Sequence, residues 1–168
     1  MILHYTLKTD QSSLLILQIG IGLIGTCISD AIKTSTRRRI VGFETYKMHW
    51  TKSAQLIEQL KSAFASITKF GNDKTELHII WSAGEAGFSA SQHTCNLEFT
   101  VFTKMIGCIS TMSDGLDVPR YFYLFSSAGG LYEGQYVSSP SEITKPNRPY
   151  GYLKLQQEAL VRQELKMF

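Results

Sequence analysis

Apolar positions along the chain fall into short continuous runs that alternate with stretches of helical spacing. Ser13–Ile19 and Leu77–Trp81 (LHIIW) are continuous runs of the kind buried on both faces of a parallel sheet. Arg39–Phe43 (RIVGF) suits another strand, as does Tyr121–Ser126 (YFYLFS) after Pro119. From Leu23 to Thr34 the spacing turns helical. Over 53–67, Leu56, Leu60 and Phe64 form one stripe with Ile57 beside it, and Ser53 stands where a helix start needs a cap. A third helix is predicted over Cys95–Ser113, with Leu97, Val101, Met105 and Ile109 on its apolar face, and a fourth over Tyr150–Lys166. Gly71-Asn72-Asp73 reads as a turn. Gly129–Pro149 reads as loop, punctuated by Gly134, Ser138-Ser139-Pro140 and Pro146-Asn147. Strands alternating with helices predict an α/β fold whose parallel sheet is covered on both faces. There is no internal repeat or linker, so 1–168 reads as a single domain.

Composition narrows the class. With 43% hydrophobic and 18% charged residues in 168, the chain is neither disordered nor low-complexity, and it is long enough for a real core. Seventeen Lys and Arg against 14 Asp and Glu leave a formal charge of only +3, which argues against nucleic acid as a partner. The one dense cluster, Arg37-Arg38-Arg39, reads as a solvated helix end. Cys27, Cys95 and Cys108 show no zinc or disulfide spacing, and reduced, mostly buried thiols predict a cytoplasmic protein. The histidines at 4, 49, 78 and 93 show no metal spacing either, so no metal is expected. Leu14–Ile28 is apolar, as a secretion signal would be, but it is too short for a span of about 20 residues. It also carries Gln18, and no membrane partner is expected.

Three constellations carry chemistry. In Gly20-Ile21-Gly22-Leu23-Ile24-Gly25, the first glycine permits a tight turn after a strand. The second lets the N–H groups around Leu23 and Ile24 approach a pyrophosphate, and the third lets the helix pack on the strand. A ligand-free strand-to-helix turn is the rival reading. Glu44, 19 residues after Gly25, stands near the spacing of a carboxylate that binds a ribose diol, and is otherwise a surface residue. That favours NAD, with NADP as the alternative. Next, Tyr150 and Lys154 stand at i and i+4 on one helix face, where an ammonium stabilises tyrosinate for acid/base work. Tyr152 points elsewhere. Last, Ser126 and Ser127 stand at the carboxyl end of a predicted strand, facing the ligand crevice of such folds.

In this order the motifs resemble the extended short-chain dehydrogenase/reductase family, especially its NAD-dependent nucleotide-sugar epimerases and dehydratases. The resemblance runs from Leu14 to the C-terminus. His78-Ile79-Ile80-Trp81-Ser82-Ala83-Gly84 is similar to the end of the family's fourth strand, and implies that Ser82, Ala83 and Gly84 lie along the cofactor. Phe125–Tyr132, then Pro149-Tyr150-Gly151-Tyr152-Leu153-Lys154 with Glu158, is similar to the family's Ser-Ser … Tyr … Pro-Tyr-Gly-x-x-Lys-x-x-x-Glu stretch. The resemblance implies a Rossmann-like doubly wound sheet, with Gly20, Gly22, Leu23, Ile24, Gly25 and Glu44 on the dinucleotide. It implies Tyr150 as acid/base, Lys154 on the nicotinamide ribose, and hydride transfer at a carbon of a nucleotide sugar. The Ser-Ala-Gly and Ser-Ser-Ala-Gly-Gly-Leu wording is similar to epimerases of polysaccharide biosynthesis.

The chain departs from the family at three places. Gln18-Ile19 replace the usual Thr-Gly before the turn. The usual catalytic Ser/Thr position is Ala128, which leaves Ser127, with Ser126 behind it, as the catalytic hydroxyl. Family members also continue well past the Tyr-Lys helix. The chain is therefore expected to be truncated before the later strands and the C-terminal substrate domain. The strand at 121–126 would then form an open apolar edge, through which a homo-oligomer could form. A catalytically inactive dinucleotide-binding or interaction module is the competing reading.

Overall fold

The computed structural model describes residues 1–8, 12–35, 39–46, 53–68, 75–136 and 143–166. Elements run β1 (Ile2–Lys8), β2 (Ser13–Ile19), α1 (Leu23–Thr34), β3 (Arg39–Tyr46), α2 (Ser53–Thr68), β4 (Thr75–Trp81), α3 (Gln92–Ser113), β5 (Arg120–Leu124), α4 (Ala128–Leu131) and α5 (Pro149–Glu164). The turn expected at 71–73, Arg37 and Arg38, His49, and Ser138-Ser139-Pro140 lie outside the described residues.

The sheet order is β3-β1-β2-β4-β5. β2, β4 and β5 are parallel, which makes the core of the molecule a Rossmann-like α/β fold. β1 departs from the wholly parallel expectation: it is antiparallel to both β2 and β3 and lies between them. The reason is the connection. Only residues 9–12 separate β1 from β2, and a link that short joins antiparallel strands, whereas a parallel crossover needs a dozen residues or more.

Helices lie on both faces. Leu15, Leu17 and Ile19 of β2 and Leu77, Ile79 and Trp81 of β4 pack in one core with residues of α2 and α3. The predicted α2 stripe Leu56, Leu60 and Phe64 is buried there. The opposite core is smaller, with Leu3, Tyr5, Leu7 and Ile16 joined by Ile32 of α1. Beyond it the β4–β5 half of that face carries His78 stacked on Tyr123, and Tyr121 and Tyr123 stay exposed.

The face of α3 differs from expectation. Leu97 is exposed, and the buried side is Cys95, Glu98, Phe102, Met105, Ile106 and Ile109. The helix is rotated by one residue at its start, so a carboxylate enters the interior. Of the thiols expected to be mostly buried, Cys95 is buried, Cys108 half-buried and Cys27 exposed. No helix among the described residues is long and apolar enough to cross a membrane.

Candidate functional site

The glycine turn sits at the carboxyl end of β2. Gly20 has φ +100°, and a Cβ there would lie 2.5 Å from the Ala83 backbone nitrogen and Cα. Gly25 packs so close that a Cβ would strike the Gly20 carbonyl oxygen. Gly22 is different: a Cβ there would meet nothing within 4 Å. It is the N-cap of α1, has no side-chain cap, and precedes a first turn without acidic residues. Leu23 and Ile24, both exposed residues, therefore open the first turn of a helix, whose positive end is at this turn. Two glycines are required by the fold, and the third keeps space in front of a helix N-terminus. This is the arrangement that a pyrophosphate fits.

Gln18 holds the turn from below. It is fully buried, and its Nε2 donates to the Gly25 carbonyl at 2.6 Å and the Gly20 carbonyl at 3.2 Å. Ser82 closes the other side: its N–H donates to the Ile19 carbonyl at 2.9 Å and its hydroxyl to the Gly20 carbonyl at 2.9 Å. The ends of β2 and β4 are thus stitched together at the turn.

From Ser82 the chain leads to the second half of the site. Gly84 lies against Glu98 of α3, whose Oε1 would be 3.0 Å from a Cβ there. Glu98 Oε2 accepts the N–H groups of Glu85 and Ala86, each at 2.8 Å. Its Oε1 lies 4.0 Å from Lys154 Nζ and accepts from Gln157 Nε2 at 3.3 Å, while Lys154 Nζ donates to Gln157 Oε1 at 3.0 Å. Lys154 is buried. Burial pushes its ammonium below the ordinary lysine range, and the Glu98 carboxylate pulls it back up.

Tyr150 and Lys154 share a face of α5, with Nζ 5.5 Å from the Tyr150 ring centroid, while Tyr152 is exposed. Phe88 packs on Tyr150 with ring centroids 5.3 Å apart. Ser127 is the N-cap of α4 and accepts the Gly130 N–H at 3.2 Å. A Cβ at Gly130 would be 3.3 Å from both Ser127 Oγ and Tyr150 Cδ1, so these three residues converge. Ser126 turns instead to α5, donating to Glu158 Oε1 at 2.6 Å.

Gly20, Gly25, Ser82 and Ala83 therefore meet at the turn; Gly84 adjoins the Glu98–Lys154 pair, and Ser127 adjoins Tyr150. Glu44 is not brought to the turn. Its register partner is His4 of β1, and β1 separates β3 from β2. Its carboxylate instead accepts the Tyr46 hydroxyl. The inserted strand leaves a cleft of about 290 Å³ between α1 and β3, with Leu3, Ile21, Asp30, Lys33 and Phe43 in its lining. Sequence reasoning missed Gln18, Glu98 and Gln157 as site residues. The signal for Gln18 was its polarity inside an apolar strand; for Glu98 it was the three-residue step from Cys95 along the helix.

The fold and the turn together define the chain as a Rossmann-like α/β domain. No protein-family model and no curated protein matches the sequence. Among solved structures the chain is similar to one described as the crystal structure of the Bordetella bronchiseptica enzyme WbmG in complex with NAD and UDP. The TM-score is 0.60 at 15% identity, a likeness of fold. It covers 90% of this chain and 49% of that one, so the chain spans about half the length of that neighbour.

Proposed function

We propose that this chain binds a nicotinamide dinucleotide, NAD as in the fold neighbour with NADP as the alternative, and forms the cofactor-holding half of a nucleotide-sugar epimerase or dehydratase. The observation that carries the reading is the loop at 82–86, which touches the glycine turn at one end and the Lys154 cluster at the other. The likeness to a fold solved with NAD and UDP supports it. The N–H groups at Leu23 and Ile24 would hold the pyrophosphate, with Ser82, Ala83 and Gly84 alongside. The adenosine end meets the cleft between α1 and β3, and Glu44 takes no part. Lys154 would hydrogen-bond the nicotinamide ribose. The cofactor supplies a hydride acceptor for a sugar carbon. Tyr150, held as tyrosinate by the Lys154 ammonium, would take the proton of the hydroxyl on that same carbon, so that the carbon becomes a carbonyl. Ser127 assists at the same oxygen. The cytoplasmic, polysaccharide-pathway setting is part of the proposal, as is self-association through the β5 edge, which light scattering tests.

Titrating the protein with NADH and following its fluorescence tests the reading. Saturable binding is expected, and no binding up to about millimolar cofactor refutes it. In a version completed by the sugar-binding half, Tyr150→Phe should abolish turnover of nucleotide sugar and leave NADH affinity unchanged. The second reading, a binding module without catalysis, is favoured by the engagement of both serines, Ser126 with Glu158 and Ser127 as a helix cap. NADH binding without turnover of any nucleotide sugar in the version completed by the sugar-binding half supports it.

A further inference from the structure

We propose that Glu98 is a positioning residue whose carboxylate fastens the 84–86 loop to Lys154 and so fixes the two halves of the site relative to each other. Its value for catalysis rests on the function proposed above; its geometry does not. The carboxylate is almost fully buried and faces only donors: two backbone N–H groups at 2.8 Å, the Gln157 amide at 3.3 Å and the Lys154 ammonium at 4.0 Å. A side chain that served the loop alone would need one oxygen. Here one oxygen takes the loop, and the other takes α5. The groups facing Lys154 are Glu98 and Cys95 of α3 and Tyr150 of its own helix, so Glu98 supplies the carboxylate that balances the buried ammonium. Gly84 belongs to the same device, because any side chain there would press on Glu98 Oε1.

A glutamine at 98 has the same shape with one acceptor oxygen and two donors. If its oxygen serves the loop, its NH2 confronts Lys154 and the Gln157 amide; if its oxygen turns to Lys154, two backbone N–H groups lose their acceptor.

The test follows the Lys154 side chain in the full-length chain by NMR with ¹³C-labelled lysine, assigned through Lys154→Met. In Glu98→Gln the Lys154 titration should move to lower pH, and the Glu85 and Ala86 amide resonances should shift. A folded Glu98→Gln with an unmoved Lys154 titration overturns the proposal, because a purely structural residue would leave that titration in place. Should Glu98→Gln fail to fold, Lys154→Met in the same chain removes the stranded charge. Recovery of a cooperative unfolding transition supports the proposal, and failure to recover overturns it. Neither readout involves cofactor. Absence of NADH binding by the unaltered protein therefore defeats the functional reading and leaves this one to be decided separately.

Discussion

Replacing Gly22 with alanine separates a ligand-binding turn from a merely structural one. The methyl group would meet nothing within 4 Å, and at φ −65° the backbone suits any residue. Alanine is a poorer N-cap than glycine by about 0.5–1 kcal/mol. It also restricts the unfolded chain, which returns about 0.4–1 kcal/mol. The net change in stability is therefore within about 0.5 kcal/mol. On the function proposed above, the same methyl would stand where a pyrophosphate approaches the N–H groups of α1. Losing even one charge-assisted hydrogen bond costs about 1.5–3 kcal/mol, or roughly tenfold or more in affinity. Gly20→Ala is the contrasting variant. At φ +100° alanine is strained by about 1–2 kcal/mol. Its methyl would also press on Ala83 backbone at 2.5 Å, where overpacking adds about 1–3 kcal/mol. The sum, about 2–5 kcal/mol, should lower the melting temperature by about 4–20 °C in a chain this size. Thermal unfolding and NADH fluorescence titration on both variants give the readout. Wild-type NADH affinity in Gly22→Ala would refute a phosphate at this turn, and a Gly20→Ala variant as stable as wild type would refute the turn geometry.

Three further outcomes follow from the same contacts. Glu44→Gln should leave NADH affinity within about twofold, since β1 stands between Glu44 and the turn; a tenfold loss, read in the same titration, would return the carboxylate to the ribose. Gln18→Leu removes two donors to turn carbonyls and should cost about 1–2 kcal/mol in urea unfolding, with NADH binding weakened as the turn loosens; an unchanged midpoint would contradict this. Burial pushes the His4 imidazole below its ordinary value of 6.5, partly offset by Glu44. The unfolded chain then binds the proton more readily, so stability is full above that value and falls as pH drops through it. Melting temperature should decline from about pH 7.5 to about pH 5.5, and His4→Gln should flatten that decline; an identical slope in the variant removes His4 as its source.

The elements legible in the sequence are those coded by contiguous residues. The limits of β2 and α1 coincide with the apolar run at Ser13–Ile19 and the helical spacing at Leu23–Thr34, because strand, glycine turn and helix each carry their own local signal. β1 was illegible for the opposite reason. Its Ile2, Leu3, Tyr5 and Leu7 are interleaved with His4 and Thr6, yet all six are buried, since both faces of the strand are covered. Polar residues that pair with one another inside, as His4 Nε2 and Thr6 Oγ1 do at 3.0 Å, look like surface residues in a sequence. In α3 two candidate stripes share Met105 and Ile109 and diverge toward the helix start, one through Leu97 and the other through Cys95 and Glu98. Helical periodicity alone favours the leucine. The choice is made by four donors that reach Glu98 from outside the helix, and no local pattern announces them. The spacing from Gly25 to Glu44 counts residues along the chain, whereas the position of a strand in the sheet also depends on what precedes it.

The inserted strand shows why one half of the site can change without disturbing the other. The order of strand addition reverses between β2 and β4, which are themselves parallel: α1 leads from β2 toward the β3 edge, and β4 and β5 build outward on the other side. The crevice at such a reversal is where open α/β sheets take their ligands. β1 enters on the far side of β2, so it widens the β3 side by about one strand spacing of 4.8 Å and leaves the contact of Gly20 with Ser82 and Ala83 intact. On the function proposed above, recognition of the pyrophosphate and of the nicotinamide end would depend on that contact and on the loop running to Glu98. Recognition of the adenosine end would depend on what β1 and β3 present. Substitutions at Gly22 or Glu98 should therefore act on every nicotinamide dinucleotide alike. Those lining the α1–β3 cleft, such as Asp30 and Lys33, should alter the choice between NADH and NADPH, and an Asp30→Ala or Lys33→Ala variant that weakens both equally would show that the two ends are not independent.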